Sequence, residues 1–166
     1  MKQLISLMIL PFLMISTTFA KDAAYPRQKI DLSGELLPNS PKSISFKDLK
    51  ELQKPVTLKI FDPYNKNLET AFEGFYLIDL VKKYGKPDFK ILRVGAIDGY
   101  KVDIPKNEID SQKLFASYKD EKGFLTVDRM GPLRILAPVK GVVNKDLLLK
   151  IGVYWVWQVK TIEFVK

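Results

Sequence analysis

Beyond residue 28 the apolar residues come in short stretches, each closed by Gly, Pro, Asn or Asp, and this rhythm restricts the fold most. Ile30–Leu36 and Val56–Phe61 alternate apolar with polar, as half-buried strands do. Ile91–Ile97 and Tyr100–Ile104 flank Asp98-Gly99, a hairpin signal. Leu114–Tyr118 and Phe124–Val127 flank a charged loop, Lys119–Gly123, and Leu133–Leu136 is a further strand. Tyr154–Val165 is too rich in aromatic and β-branched residues for a helix, so it reads as one or two strands.

Helical signals are few and local. Ser45 with Asp48 three residues on forms a capping pattern before a short helix, Phe46–Leu52, which Pro55 ends. The strongest helix is Phe75–Tyr84, where Leu77, Leu80, Val81 and Tyr84 share one face and Gly85 supplies a C-terminal cap. Pro105 opens a helical turn through Ile109, and Asn144 caps a short helix to Lys150. Many short strands with a few short helices, and no βαβ rhythm, predict an α+β domain on a mixed or antiparallel sheet.

Residues 1–20 stand apart. Lys2 gives a positive start, Leu4–Ile15 is apolar apart from Ser6 and Pro11, and Thr18-Phe19-Ala20 offers a cleavage site. This is the pattern of a secretory signal peptide, shorter than the roughly 20 apolar residues of a membrane span. The expected organisation is therefore a signal peptide over 1–20, a single domain over 21–166, and a periplasmic or secreted location. Uncleaved anchoring is the alternative for the leader. The formal charge of +8 comes mainly from lysines interleaved with Asp and Glu, a solvated surface and not a nucleic-acid stripe.

The chain contains neither cysteine nor histidine. Serine–histidine and cysteine–histidine nucleophilic mechanisms are excluded, as are thiolate or imidazole metal sites. No metal site and no catalytic residue is expected. Two clusters remain. Arg129 and Arg134 bracket Gly131-Pro132, and two of only four arginines beside a rigid turn are either ion-paired or poised to hold an anion by bidentate bonds. Tyr154, Trp155 and Trp157 lie within four positions. In a strand the two indoles share a face, as core or as an aromatic wall for a flat ligand.

From Phe72 to Phe164 the chain resembles the oxidoreductase molybdopterin-binding family, the domain of sulfite oxidase and of periplasmic methionine-sulfoxide reductases. The matching pieces are Gly74-Phe75-Tyr76-Leu77-Ile78-Asp79-Leu80, Ala96-Ile97-Asp98-Gly99-Tyr100 with Ile104-Pro105, Gly131-Pro132-Leu133-Arg134 with Pro138, and Trp157 with Ile162. The resemblance implies a sulfite-oxidase-type fold, with the family's metal-ligating cysteine near the end of the Val56–Phe61 strand. Here that place reads Phe61-Asp62-Pro63-Tyr64, and the family's cofactor-binding histidines are missing too. An oxygen donor such as Asp62 does not replace a thiolate on molybdenum.

The expected function is an exported, non-catalytic binding module on this fold. Its ligand would be a small anionic or aromatic molecule, and its partner a membrane-bound sensor. The resemblance places the ligand on the family's cofactor side, near Asp62, Tyr64, Tyr100, Arg129 and Arg134, and the aromatic cluster adds Trp155. No cofactor is expected. The alternatives are a molybdopterin-dependent oxidoreductase or cofactor-binding subunit, and a structural subunit whose groove accepts a peptide.

Overall fold

The computed structural model describes residues 26–52 and 54–166; the expected signal peptide, residues 1–20, lies outside the described residues. In chain order the elements are β1 (Lys29–Gly34), β2 (Ser43–Ser45), α1 (Phe46–Leu52), β3 (Val56–Asp62), β4 (Leu68–Tyr76), α2 (Leu77–Tyr84), β5 (Ile91–Ala96), β6 (Lys101–Pro105) and α3 (Lys106–Ser111). They continue as β7 (Phe115–Asp120), β8 (Gly123–Phe124), β9 (Arg134–Leu136), α4 (Lys145–Ile151) and β10 (Val159–Val165). Two five-stranded sheets result, which is the expected α+β class. One runs β2-β1-β10-β5-β6, with β1 parallel to β10 and the other pairs antiparallel. The other runs β3-β4-β7-β8, with β9 also on β7, and is antiparallel throughout.

Local chemistry explains the helix starts. The Ser45 backbone amide donates to Asp48 Oδ2 at 2.7 Å, and the Asp48 amide donates back to Ser45 Oγ at 3.2 Å. That reciprocal pair satisfies donors which the first helical turn leaves open. Asn144 accepts from the Leu147 amide at 2.8 Å and starts α4 in the same way.

Helix α2 buries Leu77, Leu80, Val81 and Tyr84, the face its spacing predicts. They join a core shared with Leu92 and Val94 of β5 and Ile162 and Phe164 of β10. The helix starts two residues later than expected, because Phe75 and Tyr76 complete strand β4. That strand was not anticipated: it is held in place by β3 on one side and β7 on the other. Gly85 does not take a left-handed cap conformation (φ −87°). A glycine is needed there because a Cβ would strike the Phe164 ring.

The C-terminal run also differs from expectation. Gly152–Tyr154 forms a 3-10 turn, Val156 makes an isolated bridge to Ile135, and regular strand begins only at Val159. Trp155 and Trp157 therefore do not alternate along a strand.

Candidate functional site

Strand β3 ends at Asp62, whose backbone oxygen accepts from Asn65 and Asn67 amides at 3.0 and 2.9 Å. Its side chain does two further things. Oδ1 accepts from the Tyr64 amide at 2.9 Å, an Asx-type turn. Oδ2 accepts from Arg134 Nη2 at 3.1 Å. Both side chains are buried, at 3% and 4% exposure, so this is an ion pair removed from water. The Arg134 guanidinium also lies against two rings, 5.2 Å from the Phe72 centroid and 5.7 Å from that of Trp155. Burial pulls the guanidinium below its ordinary pKa, and Asp62 partly opposes that pull. An arginine remains charged under either influence. Its Nε is buried and has no hydrogen-bond acceptor.

Arg129 sits on the turn before the cis Gly131–Pro132 bond. Its guanidinium donates to the Asp120 carboxylate and to the Phe124 carbonyl oxygen, and its Nε reaches Thr126 Oγ1 at 3.4 Å. The arginine staples the β7–β8 hairpin to the following turn.

Between these two ion pairs lies a cavity of about 410 Å3. Asp62, Tyr64, Phe72, Arg129 and Arg134 form its walls, with Asp120, Glu121 and Lys122 at the hairpin end and Asp128 and Met130 on the facing turn. The walls carry four carboxylates against three cations. Hydrogen bonding from Thr126 and from its own backbone keeps Asp128 below the ordinary carboxylate range.

Tyr64 joins the cavity to an aromatic group. Its ring lies 5.7 Å from Trp155 and meets Trp157 edge-on at 4.8 Å. Burial, then Asp62, then Tyr100 raise its pKa, so the phenol stays protonated at neutral pH. The indole N–H groups of Trp155 and Trp157 are buried without acceptors. Tyr154 turns elsewhere, and its raised pKa reflects burial and then Glu108.

Of the residues singled out in the sequence, Asp62, Tyr64, Arg129 and Arg134 line one cavity. Trp155 stands behind it, against Tyr64 and Arg134. Tyr100, half exposed, is outside the cavity wall but close enough to influence Tyr64. Sequence reasoning missed Phe72, because it lies in the unanticipated β4. It also missed Asp120, whose part in the cavity depends on Arg129 nine residues later folding back. Among the described residues no group of three His, Cys, Asp or Glu could hold a metal ion.

The fold is similar to that in the crystal structure of the sulfane dehydrogenase SoxCD from Paracoccus pantotrophus. The TM-score is 0.59 at 15% identity, over 83% of this chain and 38% of that one. This likeness supports a molybdopterin-domain-like fold, as the sequence resemblance implied. At this identity it speaks for fold alone, and this chain spans little more than a third of that protein. No family model and no curated protein matches the sequence.

Proposed function

We propose that this protein is an exported, non-catalytic module that binds a small molecule in the cavity between Asp62–Arg134 and Asp120–Arg129. The observation that carries this reading is an open cavity walled by the rings of Tyr64 and Phe72 and by Arg134, whose buried Nε has no hydrogen-bond acceptor. A buried donor left unmade costs about 1–3 kcal/mol, which a ligand acceptor would recover once the guanidinium turns toward the cavity. Both arginines are already neutralised by carboxylates. The acceptor therefore need not carry a full charge, and a carbonyl or a carboxylate would serve. Tyr64 and Phe72 offer apolar faces for a flat ligand. Export rests on the leader-like sequence of residues 1–20, and an exported binding module could report its ligand state to a membrane-bound sensor.

The residues at Asp62 do not fit the molybdenum cofactor. The chain has no thiolate, and both Asp62 oxygens are committed, one to the Tyr64 amide and one to Arg134. Sulfite oxidation and sulfoxide reduction are accordingly expected to stay at the no-protein level.

Native mass spectrometry of protein purified from its own host tests the reading. A bound small molecule is expected, and Arg134→Lys, which keeps a cation beside Asp62 but removes Nε, should weaken its binding by about 1.5–3 kcal/mol. Ligand-free protein, or unchanged affinity in Arg134→Lys, overturns it. Stoichiometric molybdenum would favour the oxidoreductase alternative.

A further inference from the structure

Strand β3 is the longest strand to leave one side open among the described residues. It pairs only with β4, and no backbone hydrogen bond joins Thr57–Phe61 to any other described segment. The other edges are short or blunted. Strand β2 has three residues, β8 two and β9 three. Strand β6 ends on Pro105, and its Asp103 is held by Arg93. Proline, brevity and charge are the usual ways of protecting an edge. Strand β3, seven residues long, has neither proline nor brevity, and Lys59 is its only charge before Asp62.

A groove of about 340 Å3 borders that edge, lined in part by three consecutive β3 residues, Leu58, Lys59 and Ile60. Leu58 and Ile60 point to one face of the sheet, and Tyr76, four residues past Leu58's partner Phe72, shares it, so the groove runs along that face of the edge strand. Tyr76 and Val139 add apolar surface to the groove, and Lys113 and Lys140 join Lys59 as cations. No carboxylate lines it.

From this we propose that the open edge of β3 docks an extended acidic segment of a partner protein as an added antiparallel or parallel strand. Main-chain bonds to the unpaired groups of Thr57–Phe61 would hold the segment. Alternate apolar residues would enter beside Leu58 and Ile60, and carboxylates would meet the three lysines. This surface is separate from the cavity at Arg134, so either proposal can fail without the other.

The probe is a labelled peptide of seven residues, the length of β3, alternating valine and glutamate, with a lysine-for-glutamate counterpart as control. Fluorescence anisotropy should show saturable binding of the acidic peptide alone, weakening as salt shortens the screening length. Lys59→Glu combined with Lys140→Glu, both exposed positions, should weaken it about tenfold, the sum of a few surface charge contacts. Hydrogen exchange at Thr57–Phe61 should slow when the acidic peptide is added. Equal binding of the two peptides, or binding of neither, overturns the proposal. Slow exchange of all these amides in the free protein would overturn it as well, by showing that the chain itself covers the edge. So would a dimer in sedimentation that the double variant dissolves, since a second copy would then be the occupant.

Discussion

Arg93 and Arg134, one on each sheet, carry their charge in opposite settings. On the sheet built around β5 and β10, Arg93 lies across three strands at the surface. It donates to Asp103 at 2.8 and 3.0 Å and reaches Glu163 at 3.4 Å, with more than a third of its side chain in water. On the sheet built around β4 and β7, Arg134 makes one ion pair, with Asp62, and almost nothing of either side chain meets solvent. Exposed pairs exchange water for a partner at little net gain. A buried pair is no great source of stability either, but breaking it strands a charge. The Arg93 site thus tolerates its charges, whereas the Arg134 site depends on keeping them matched, and the candidate cavity opens beside the matched pair.

The largest test of that contrast removes one partner of the buried pair. Arg134→Ala should destabilise the fold by about 3–5 kcal/mol in urea denaturation, because Asp62 is left buried and unpaired. Sequence alone left Arg134 either ion-paired or poised to hold an anion, and its burial against Asp62 makes it a partner the fold depends on. Pairing Arg134→Met with Asp62→Asn should recover part of the loss, since Asn can still accept from the Tyr64 amide. If Arg134→Ala unfolds at the wild-type midpoint, the pair is not a structural one.

What was readable in the sequence divides along the same line. The Ser45–Asp48 cap, the Asn144 cap, the Asp98-Gly99 turn and the apolar face of α2 depend on residues within a few positions of one another, and sequence displays such patterns directly. Strand β4 does not alternate cleanly: Glu69, Thr70, Ala71, Glu73 and Gly74 carry no two-residue period. It is a strand because β3 and β7 sit on either side of it. The Asp62–Arg134 pair joins residues 72 apart. Both residues could be named from sequence, but not the bond between them. The indoles of Trp155 and Trp157 meet at Tyr64 through an irregular turn and a bridge, not through strand alternation.

A glycine in each sheet gives a second, smaller comparison. A Cβ on Gly74, in β4, would run into the Ala116 carbonyl oxygen, a backbone atom held in the neighbouring strand. One on Gly95, in β5, would meet only the Thr161 hydroxyl, a side-chain tip that can turn away. Gly74→Ala should cost about 1–3 kcal/mol, as overpacking does, and Gly95→Ala clearly less. Equal losses in thermal denaturation would mean that the two sheets yield alike to an added methyl group.

The smallest expected effect lies with the exposed arginine. Hydrogen bonding from Arg93, more than its charge alone, holds the Asp103 carboxyl below the usual aspartate range. Its folded-state pKa is therefore depressed, so the contribution of the pair is present above the unfolded aspartate value. It is lost as pH falls through the folded one, below about 4. In carboxyl-detected NMR titrations, Asp103 should move up toward its ordinary value in Arg93→Ala. A smaller upward movement should appear in the wild type at about 1 M salt, where charges are screened within roughly 3 Å but the hydrogen bonds persist. The accompanying change in stability should be slight at neutral pH, in contrast to Arg134→Ala. If Asp103 titrates identically with and without Arg93, the surface pair is not formed in solution. If instead Arg93→Ala destabilises the protein as much as Arg134→Ala does, burial is not what separates the two sheets, and the contrast between them fails.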